Sequence, residues 1–456
     1  MTLDPGVFKA YDIRGLYPTE IDEAGAHALG RGFVEVVRAA TPGANAPRIA
    51  IGHDVRLSSP SITDALCAGA VEAGAHVTEL GLTATEMVYF AVADGNFDAG
   101  AQITASHNPP QYTGAKLVLA GALPLSGETG ISEIGRLIAT NATVSRPGGT
   151  RVRDETVLPR FVDAALGFVD PERIRGLRVV LDGANGMAGL FLAPVLKRIH
   201  IDAVECFLDP DGRFPHHEPN PLLPENRAFI EAKVLEVGAD LGIAWDGDAD
   251  RCFFIDDRGE FVPGDFLTAL LASHLLRRNG PADVVYDLRA SWAVREAITA
   301  AGGTPHENRV GHAFIKRRMR ELDALFAGEV SGHYYFREFS YADTGLIPAL
   351  LVLEMLSDLD VPLSELIDRY RSQFHISGEI NSTVSDPAAV FGTLRARYAD
   401  GVQREIDGLS VDYPDWHFNV RSSNTEPLVR LNLESLISDQ DMQARRDALL
   451  AIIRGH

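Results

Sequence analysis

The chain is short of cysteine, of basic residues and of long apolar runs, and each shortage excludes something. Cys67, Cys206 and Cys252 are the only cysteines in 456 residues, far apart, with no CxxC pair and an odd total. That excludes a disulfide scaffold and leaves three reduced, mostly buried thiols as the expectation. Lys and Arg number 42 against 63 Asp and Glu, a formal charge of −21. A molecule of that sign repels nucleic acid and anionic membrane surfaces, so an anionic ligand has to be captured by a local basic site. The most apolar stretch, Leu346 to Leu356, has 11 residues, too few to span a bilayer. The opening Met-Thr-Leu-Asp-Pro-Gly has neither the basic nor the apolar part of a secretory signal. The expectation is a cytoplasmic protein with no nucleic-acid and no membrane partner.

What is present is ordinary soluble-protein material, 46% apolar and 23% charged, and the length suggests about three domains. Three apolar β-type runs end in polar loops followed by helix-like patterns: Ile49 to Asp54, Val179 to Asn185 and Val284 to Ser291. Their even spacing suggests three α/β domains on a similar plan. Turn-rich joints at Ser145 to Val157, Asp256 to Asp265 and Phe374 to Ser385 divide the chain into residues 1–150, 151–256, 257–374 and 375–456. The last piece is smaller, with a strand-like run at Leu428 to Leu433 and a polar closing helix. In the first, Ser61 to Ala73 places Ile62, Ala65, Leu66 and Ala70 on one helical face, with Cys67 inside it as a packed core thiol.

Four stretches carry groups that could do chemistry. In Trp245-Asp-Gly-Asp-Ala-Asp-Arg251, three carboxylates crowd into five residues between two apolar runs. Such crowding calls for a cation, and hard oxygen donors suit Mg²⁺. An EF-hand is excluded by Arg251 and Asp257 at its sixth and twelfth positions, where glycine and glutamate are needed. Ala249 within the loop should be tolerated if its backbone φ is negative. In Thr104-Ala-Ser-His-Asn-Pro, Ser106 beside His107, with Lys116 beyond, has the makings of a nucleophile, although Ser-His-Asn-Pro alone is also an ordinary turn. Arg421-Ser-Ser-Asn-Thr425 is a dense donor set able to grip phosphate, or a hydrogen-bonded turn. In Gly328-Glu-Val-Ser-Gly-His333, Glu329, Ser331 and His333 alternate, so an extended backbone would point all three to one side, either to read sugar hydroxyls or as the polar face of an edge strand. Tyr11, Arg14 and the pair His312 with Lys316 are weaker candidates, each more often structural when taken alone. His216 and His217 lack zinc-ligand spacing and read as part of a proline-braced loop.

Taken in order, the loops TASHNP, DGDAD followed by Arg, GEVSGH and RSSNTEP resemble those of the α-D-phosphohexomutase family, in its phosphomannomutase/phosphoglucomutase branch. The resemblance covers nearly the whole chain. It implies three similar α/β domains with mixed sheets around a central cleft, plus a smaller α+β C-terminal domain that could act as a lid, each carrying one loop. It implies Ser106 as phosphoserine, Mg²⁺ held by Asp246, Asp248, Asp250 and a phosphate oxygen on Ser106, Arg251 supporting the transferring group, Lys116 as general base, and Arg14 and His312 as further catalytic residues. Tyr11, Glu329, Ser331, His333, Arg289, Arg421, Ser423, Asn424 and Thr425 would bind substrate. The implied reaction interconverts mannose 6-phosphate and mannose 1-phosphate through a hexose 1,6-bisphosphate, with glucose phosphates as further substrates, in a monomer or homodimer. A phosphoglucomutase or phosphoglucosamine mutase of the same family, a Mg²⁺ phosphatase using Asp246, and a silent sugar-phosphate or cation binder are the alternatives.

Overall fold

The computed structural model describes residues 3–41, 43, 45–422 and 428–455. They form two compact units, one of residues up to Val262 together with Ser331–Ser364, the other of Pro263–Val330 and Glu365 onward.

The first unit begins with a mixed seven-stranded sheet of β1 (Ile13–Leu16), β2 (Arg48–His53), β3 (His76–Leu82), β4 (Ala99–Ile103), β5 (Tyr112–Leu119), β6 (Leu123–Pro124) and β7 (Thr150–Arg153). Its order is β1-β5-β4-β2-β3-β7, with β6 beside β5. β2, β3, β4 and β7 run parallel, while β5 is antiparallel to β4. Every residue of β4 and most of β2 are buried, as expected of parallel strands covered on both faces. Helices Glu23–Ala40 and Ser59–Glu72 cover one face so closely that a Cβ at Gly30 would lie 2.1 Å from the Leu66 carbonyl oxygen. Ser59–Glu72 is the helix expected from Ser61, begun two residues earlier. β7 lies within the stretch expected to be a joint; it is an exposed edge strand whose Arg151 and Arg153 bind Glu79, charges that discourage further pairing.

A second sheet in this unit contains β8 (Arg175–Asp182), β9 (His200–Cys206), β10 (Leu241–Trp245), β11 (Cys252–Asp256) and β12 (Phe261–Val262), ordered β12-β11-β10-β8-β9. β8 is parallel to β9 and β10, and β11 turns back antiparallel to β10. The two sheets share a device: a fully buried parallel strand, β4 or β10, leaves the sheet at its carboxyl end through a loop and returns antiparallel. One loop carries Ser106 and the other carries the three aspartates. Carboxyl ends of parallel strands are where open α/β sheets present ligand-binding loops.

In the second unit β13 (Asp283–Asp287) is parallel to β14 (Thr304–Asn308) and β15 (Phe326–Gly328), under the largely buried helix Gly264–Asn279. The carboxyl ends of these strands lead to Arg289, to Gly311 and His312, and to Glu329. The remainder is α+β: an antiparallel sheet ordered His375–Ile376, Leu428–Ser435, Trp416–Ser422, Leu409–Asp412, Val402–Arg404, with Ile380–Thr383 also on Leu428–Ser435. Helices Pro387–Arg397 and Asp439–Arg454 complete its core, their first turns capped by Asp386 and Ser438. The fold class read from the sequence is present: α/β units with mixed sheets and a smaller α+β C-terminal part. All three cysteines are buried thiols, and burial pushes Cys67 up to about 12. Among the described residues no helix is long and apolar enough to cross a membrane.

Candidate active site

Ser106, 4% exposed, lies on the β4–β5 loop with φ +50, a left-handed conformation costly for a side chain with a Cβ. Its backbone is fixed from both sides. The amide of Ser106 donates to Thr104 Oγ1 at 2.9 Å. From beneath, the fully buried Arg56 donates to the carbonyls of Ser106 (2.7 Å), Asn108 (2.6 Å), Pro109 (2.7 Å) and Tyr112 (3.3 Å), and to Asp54 Oδ2 at 3.1 Å. Asp54 is held in turn by the Ser59 hydroxyl. One guanidinium therefore satisfies most of the carbonyls of a loop that no strand can satisfy. Sequence reading missed Arg56; its signal was Asp54-x-Arg56 between a strand and a helix, a local clamp that looks like surface charge until the loop folds over it.

The β10–β11 hairpin brings Asp246, Asp248, Asp250 and Arg251 to the same place, all buried. The two loops touch through Gly247, where a Cβ would stand 2.5 Å from the Ser106 carbonyl oxygen. The Ser106 hydroxyl donates to Asp246 Oδ2 at 3.0 Å and receives Arg251 Nη2 at 3.2 Å. Arg251 also grips Asp246 Oδ2 through Nε at 2.9 Å and Nη2 at 2.6 Å. His107 Nδ1 lies 3.2 Å from the Ser106 hydroxyl and accepts from Arg251. Burial and then the Arg251 charge hold that ring well below the usual histidine range, so it is neutral.

Lys116, on β5, donates to Asp248 Oδ2 at 2.7 Å and to Asp250 Oδ2. Burial would lower its pKa, but the Asp248 and Asp250 charges outweigh it and keep the ammonium above the usual lysine range. In this arrangement Lys116 holds its proton. Burial likewise works against the Asp248 carboxylate, which Lys116, Thr85 and Arg251 nevertheless hold below its ordinary range. Burial raises Asp246 against the pull of Arg251, and burial with the Asp248 charge pushes Asp250 well up. Thr85, at the start of helix Thr85–Asp94, gives its hydroxyl to Asp248 and its amide to the Asp248 carbonyl at 3.1 Å.

This arrangement fits a divalent cation. One oxygen from each of Asp246, Asp248 and Asp250 lies within 4.8 Å of the others. Asp248 Oδ1 and Asp250 Oδ1 are buried with no hydrogen-bond partner. Buried orphan carboxylate oxygens are costly, and hard oxygen donors are the ligands Mg²⁺ prefers. Asp250, His333 and Asp343 form a second such group sharing Asp250.

Two sequence expectations need correction. Ala249 has φ +62, so the condition under which an alanine would be tolerated there without strain is not met, because the hairpin closes with its amide on the Asp246 carbonyl at 3.1 Å. Residues 329–333 are not extended: Val330 and Ser331 form a turn, and Gly332 bends with φ +83. Glu329, Ser331 and His333 therefore do not form a one-sided row. Glu329 accepts from the Gly311 amide at 3.0 Å, beside His312, in the second unit. Ser331 Oγ and His333 Nδ1 are 2.9 Å apart in the first unit, with His333 Nε2 3.7 Å from Asp250 Oδ1.

Arg14 reaches the serine loop at Asn108 Oδ1 and also binds Asp12, while Tyr11, three residues before Arg14, is half-buried. In the second unit Arg289 forks onto Asp287, with Nε 3.0 Å from Oδ1 and Nη2 2.8 Å from Oδ2. Arg289 and Arg421 each place a guanidinium nitrogen 3.1 Å from Glu379 Oε2. Ser423, Asn424 and Thr425 lie outside the described residues. His216 and His217 are structural partners of Asn185 and Asp182, at 2.6 and 3.0 Å.

Residues 5–145, 159–259, 263–374 and 379–452 match the models of domains I, II, III and the C-terminal domain of phosphoglucomutase/phosphomannomutase. A phosphomannomutase of Salmonella typhimurium is 41% identical over 455 residues, 98% of each chain. A Xanthomonas campestris protein described as a phosphohexose mutase is 41% identical over 98% of this chain and 99% of its own. The crystal structure of a family protein from Burkholderia thailandensis superposes with a TM-score of 0.89 at 32% identity, covering 99% of this chain and 98% of that one. With four domain models matched in order along nearly its whole length, the chain belongs to the phosphoglucomutase/phosphomannomutase family.

Proposed function

We propose that this protein is a phosphomannomutase, an isomerase that interconverts mannose 6-phosphate and mannose 1-phosphate through phosphorylated Ser106 and a hexose 1,6-bisphosphate, with glucose phosphates as a second substrate class. The observation that carries this reading is the Ser106 hydroxyl, 3.0 Å from Asp246 and 3.2 Å from Arg251, beside carboxylate oxygens that lack partners. In the transfer, the bond between phosphorus and Ser106 Oγ breaks as one forms to a sugar hydroxyl oxygen, whose proton leaves to a base. Reversing the step at the other sugar position recharges Ser106. Arg251 neutralises charge on the transferring group, which in phosphoryl transfer matters more than covalent chemistry by the protein. Asp246, Asp248 and Asp250 would hold Mg²⁺, which when bound supplies positive charge to phosphate oxygens and occupies carboxylates that otherwise keep Lys116 protonated. Lys116 then becomes the candidate base.

Arg14 and His312 are proposed as further catalytic groups. Tyr11, Glu329, Ser331 and His333 would contact the sugar, and Arg289, Arg421, Ser423, Asn424 and Thr425 the second phosphate. The domains are proposed as residues 1–150, 151–256, 257–374 and 375–456, and the assembly as a monomer or homodimer. Phosphorus NMR of mannose 6-phosphate, glucose 6-phosphate and glucosamine 6-phosphate, each with Mg²⁺ and trace hexose 1,6-bisphosphate, tests the reading. It expects 1-phosphates from mannose and glucose. Release of inorganic phosphate in place of an isomer would overturn it in favour of a phosphatase.

A further inference from the structure

In the second unit three guanidiniums converge on one carboxylate. Arg289 Nη1 and Arg421 Nη2 each lie 3.1 Å from Glu379 Oε2, and Arg430 Nη1 lies 3.2 Å from Oε1. Arg421 and Arg430 are direct cross-strand partners, an arrangement in which like charges repel. Among the described residues Glu379 is the carboxylate hydrogen-bonded to both, while Asp287 is already forked onto Arg289 and the Glu329 charge also acts on Arg289. Three guanidiniums are thus concentrated around one shared carboxylate, in a protein carrying 21 excess negative charges overall. A site that keeps such charge partly buried is built for an anion.

The carboxylate is a poor occupant. Hydrogen bonds between guanidinium and carboxylate usually measure about 2.7–2.9 Å, and all three here are longer. Two oxygens serve three guanidiniums, and among the described residues the buried Nε atoms of Arg421 and Arg430 have no partner. A phosphate, with three free oxygens and up to two charges, would meet more of these donors. We propose that Glu379 is an internal stand-in for the substrate phosphate at the Arg289–Arg421–Arg430 anion site, displaced from these arginines when a phosphoryl group binds. This rests on the phosphohexomutase reading and adds to it Arg430 as a phosphate ligand and Glu379 as the group that sets how tightly phosphate is held. The same contacts account for the low pKa of Glu379: burial opposes ionisation, but the charges of Arg289, Arg421 and Arg430 bring it to about 2. A bisphosphate intermediate must be released at one phosphate and regripped at the other, and an internal competitor keeps that grip reversible.

Calorimetric titration of the full chain with inorganic phosphate tests the proposal without needing turnover. Glu379→Gln should bind phosphate at least fivefold more tightly than wild type. Glu379→Asp is the sharper variant, because it keeps the charge but shortens the reach by one methylene. It too should bind more tightly, whereas an effect of net charge alone would leave it unchanged. Arg430→Ala should weaken binding at least tenfold. Unchanged or weaker phosphate binding in folded Glu379→Asp overturns the proposal, as does wild-type affinity in Arg430→Ala. If Glu379→Gln does not fold, Glu379→Asp decides alone. Tighter phosphate binding in a chain that fails to isomerise hexose phosphates would sustain the stand-in and refute only the mutase reading.

Discussion

Replacing Arg56 by lysine should loosen the Ser106 loop without emptying the space beneath it. The guanidinium serves five acceptors, four loop carbonyls and Asp54. An ammonium has three donors on one atom, so at least two of the five acceptors lose their partner. Each buried group left unpaired costs about 1–3 kcal/mol, and partial entry of water brings the sum to ~3 kcal/mol. Unfolding entropy of ~2.1 cal/mol/K per residue over a unit of about 300 residues converts that to a fall in Tm of ~5 °C. The functional loss should be larger, since a displacement of ~1 Å at a reacting group can cost ~10²-fold. Calorimetry and steady-state kinetics of Arg56→Lys, with the neighbouring Leu57→Ala as control, check this. Leu57 is 74% exposed and its truncation should change neither quantity. Arg56→Lys within 1 °C and twofold of wild type would refute the clamp.

Three further expectations follow from other parts of the fold. At Ala249, relief of the left-handed backbone by glycine is offset by added unfolded-state entropy and a lost buried methyl, so Ala249→Gly should stay within ~0.5 kcal/mol of wild type in denaturant melts, whereas Ala249→Val should lose more than ~2 kcal/mol. Saturating Mg²⁺, at about 100 times its Kd, should add ~2.7 kcal/mol and raise Tm on the order of 4 °C, and Asp248→Asn should abolish that rise in a thermal scan. Burial lowers the pKa of His217, but its bond to Asp182 outweighs this and raises it above 6.5, so the stability it confers is full below pH 6.5 and lost as pH rises through the folded value. The gap in melting temperature between wild type and His217→Gln should therefore shrink from pH 6 to pH 9; a constant gap would mean the pair is a neutral hydrogen bond.

Much of the site was legible because its chemistry is local in sequence. Asp246, Asp248 and Asp250 fall within five residues, and the buried runs on either side announce a strand–loop–strand hairpin. Ser106 and Lys116 were legible as candidates because β4 and β5 bracket a polar loop. Arg56, Thr85, Glu379 and Arg430 were not, since the loop and cross-sheet partners that define their roles lie 42 to 163 residues away and come together only through sheet topology. The expected row at Glu329, Ser331 and His333 failed for a backbone reason: alternation implies a common face only in an extended chain, and Gly332 with positive φ ends the extension. The stretches around 145–157 and 374–385, read as joints from their composition, fall where one matched domain model ends and the next begins, and the first also holds the polar edge strand Thr150–Arg153, which composition alone does not announce.

The central claim is that Ser106 carries the phosphoryl group. Intact-mass analysis and peptide mapping of the protein should be done after charging with glucose 1,6-bisphosphate and again after adding excess mannose 6-phosphate with Mg²⁺. The account predicts one added phosphoryl group, mapped to Ser106, that the hexose phosphate discharges. An unmodified Ser106 after charging, together with continued phosphate release by Ser106→Ala, would contradict it.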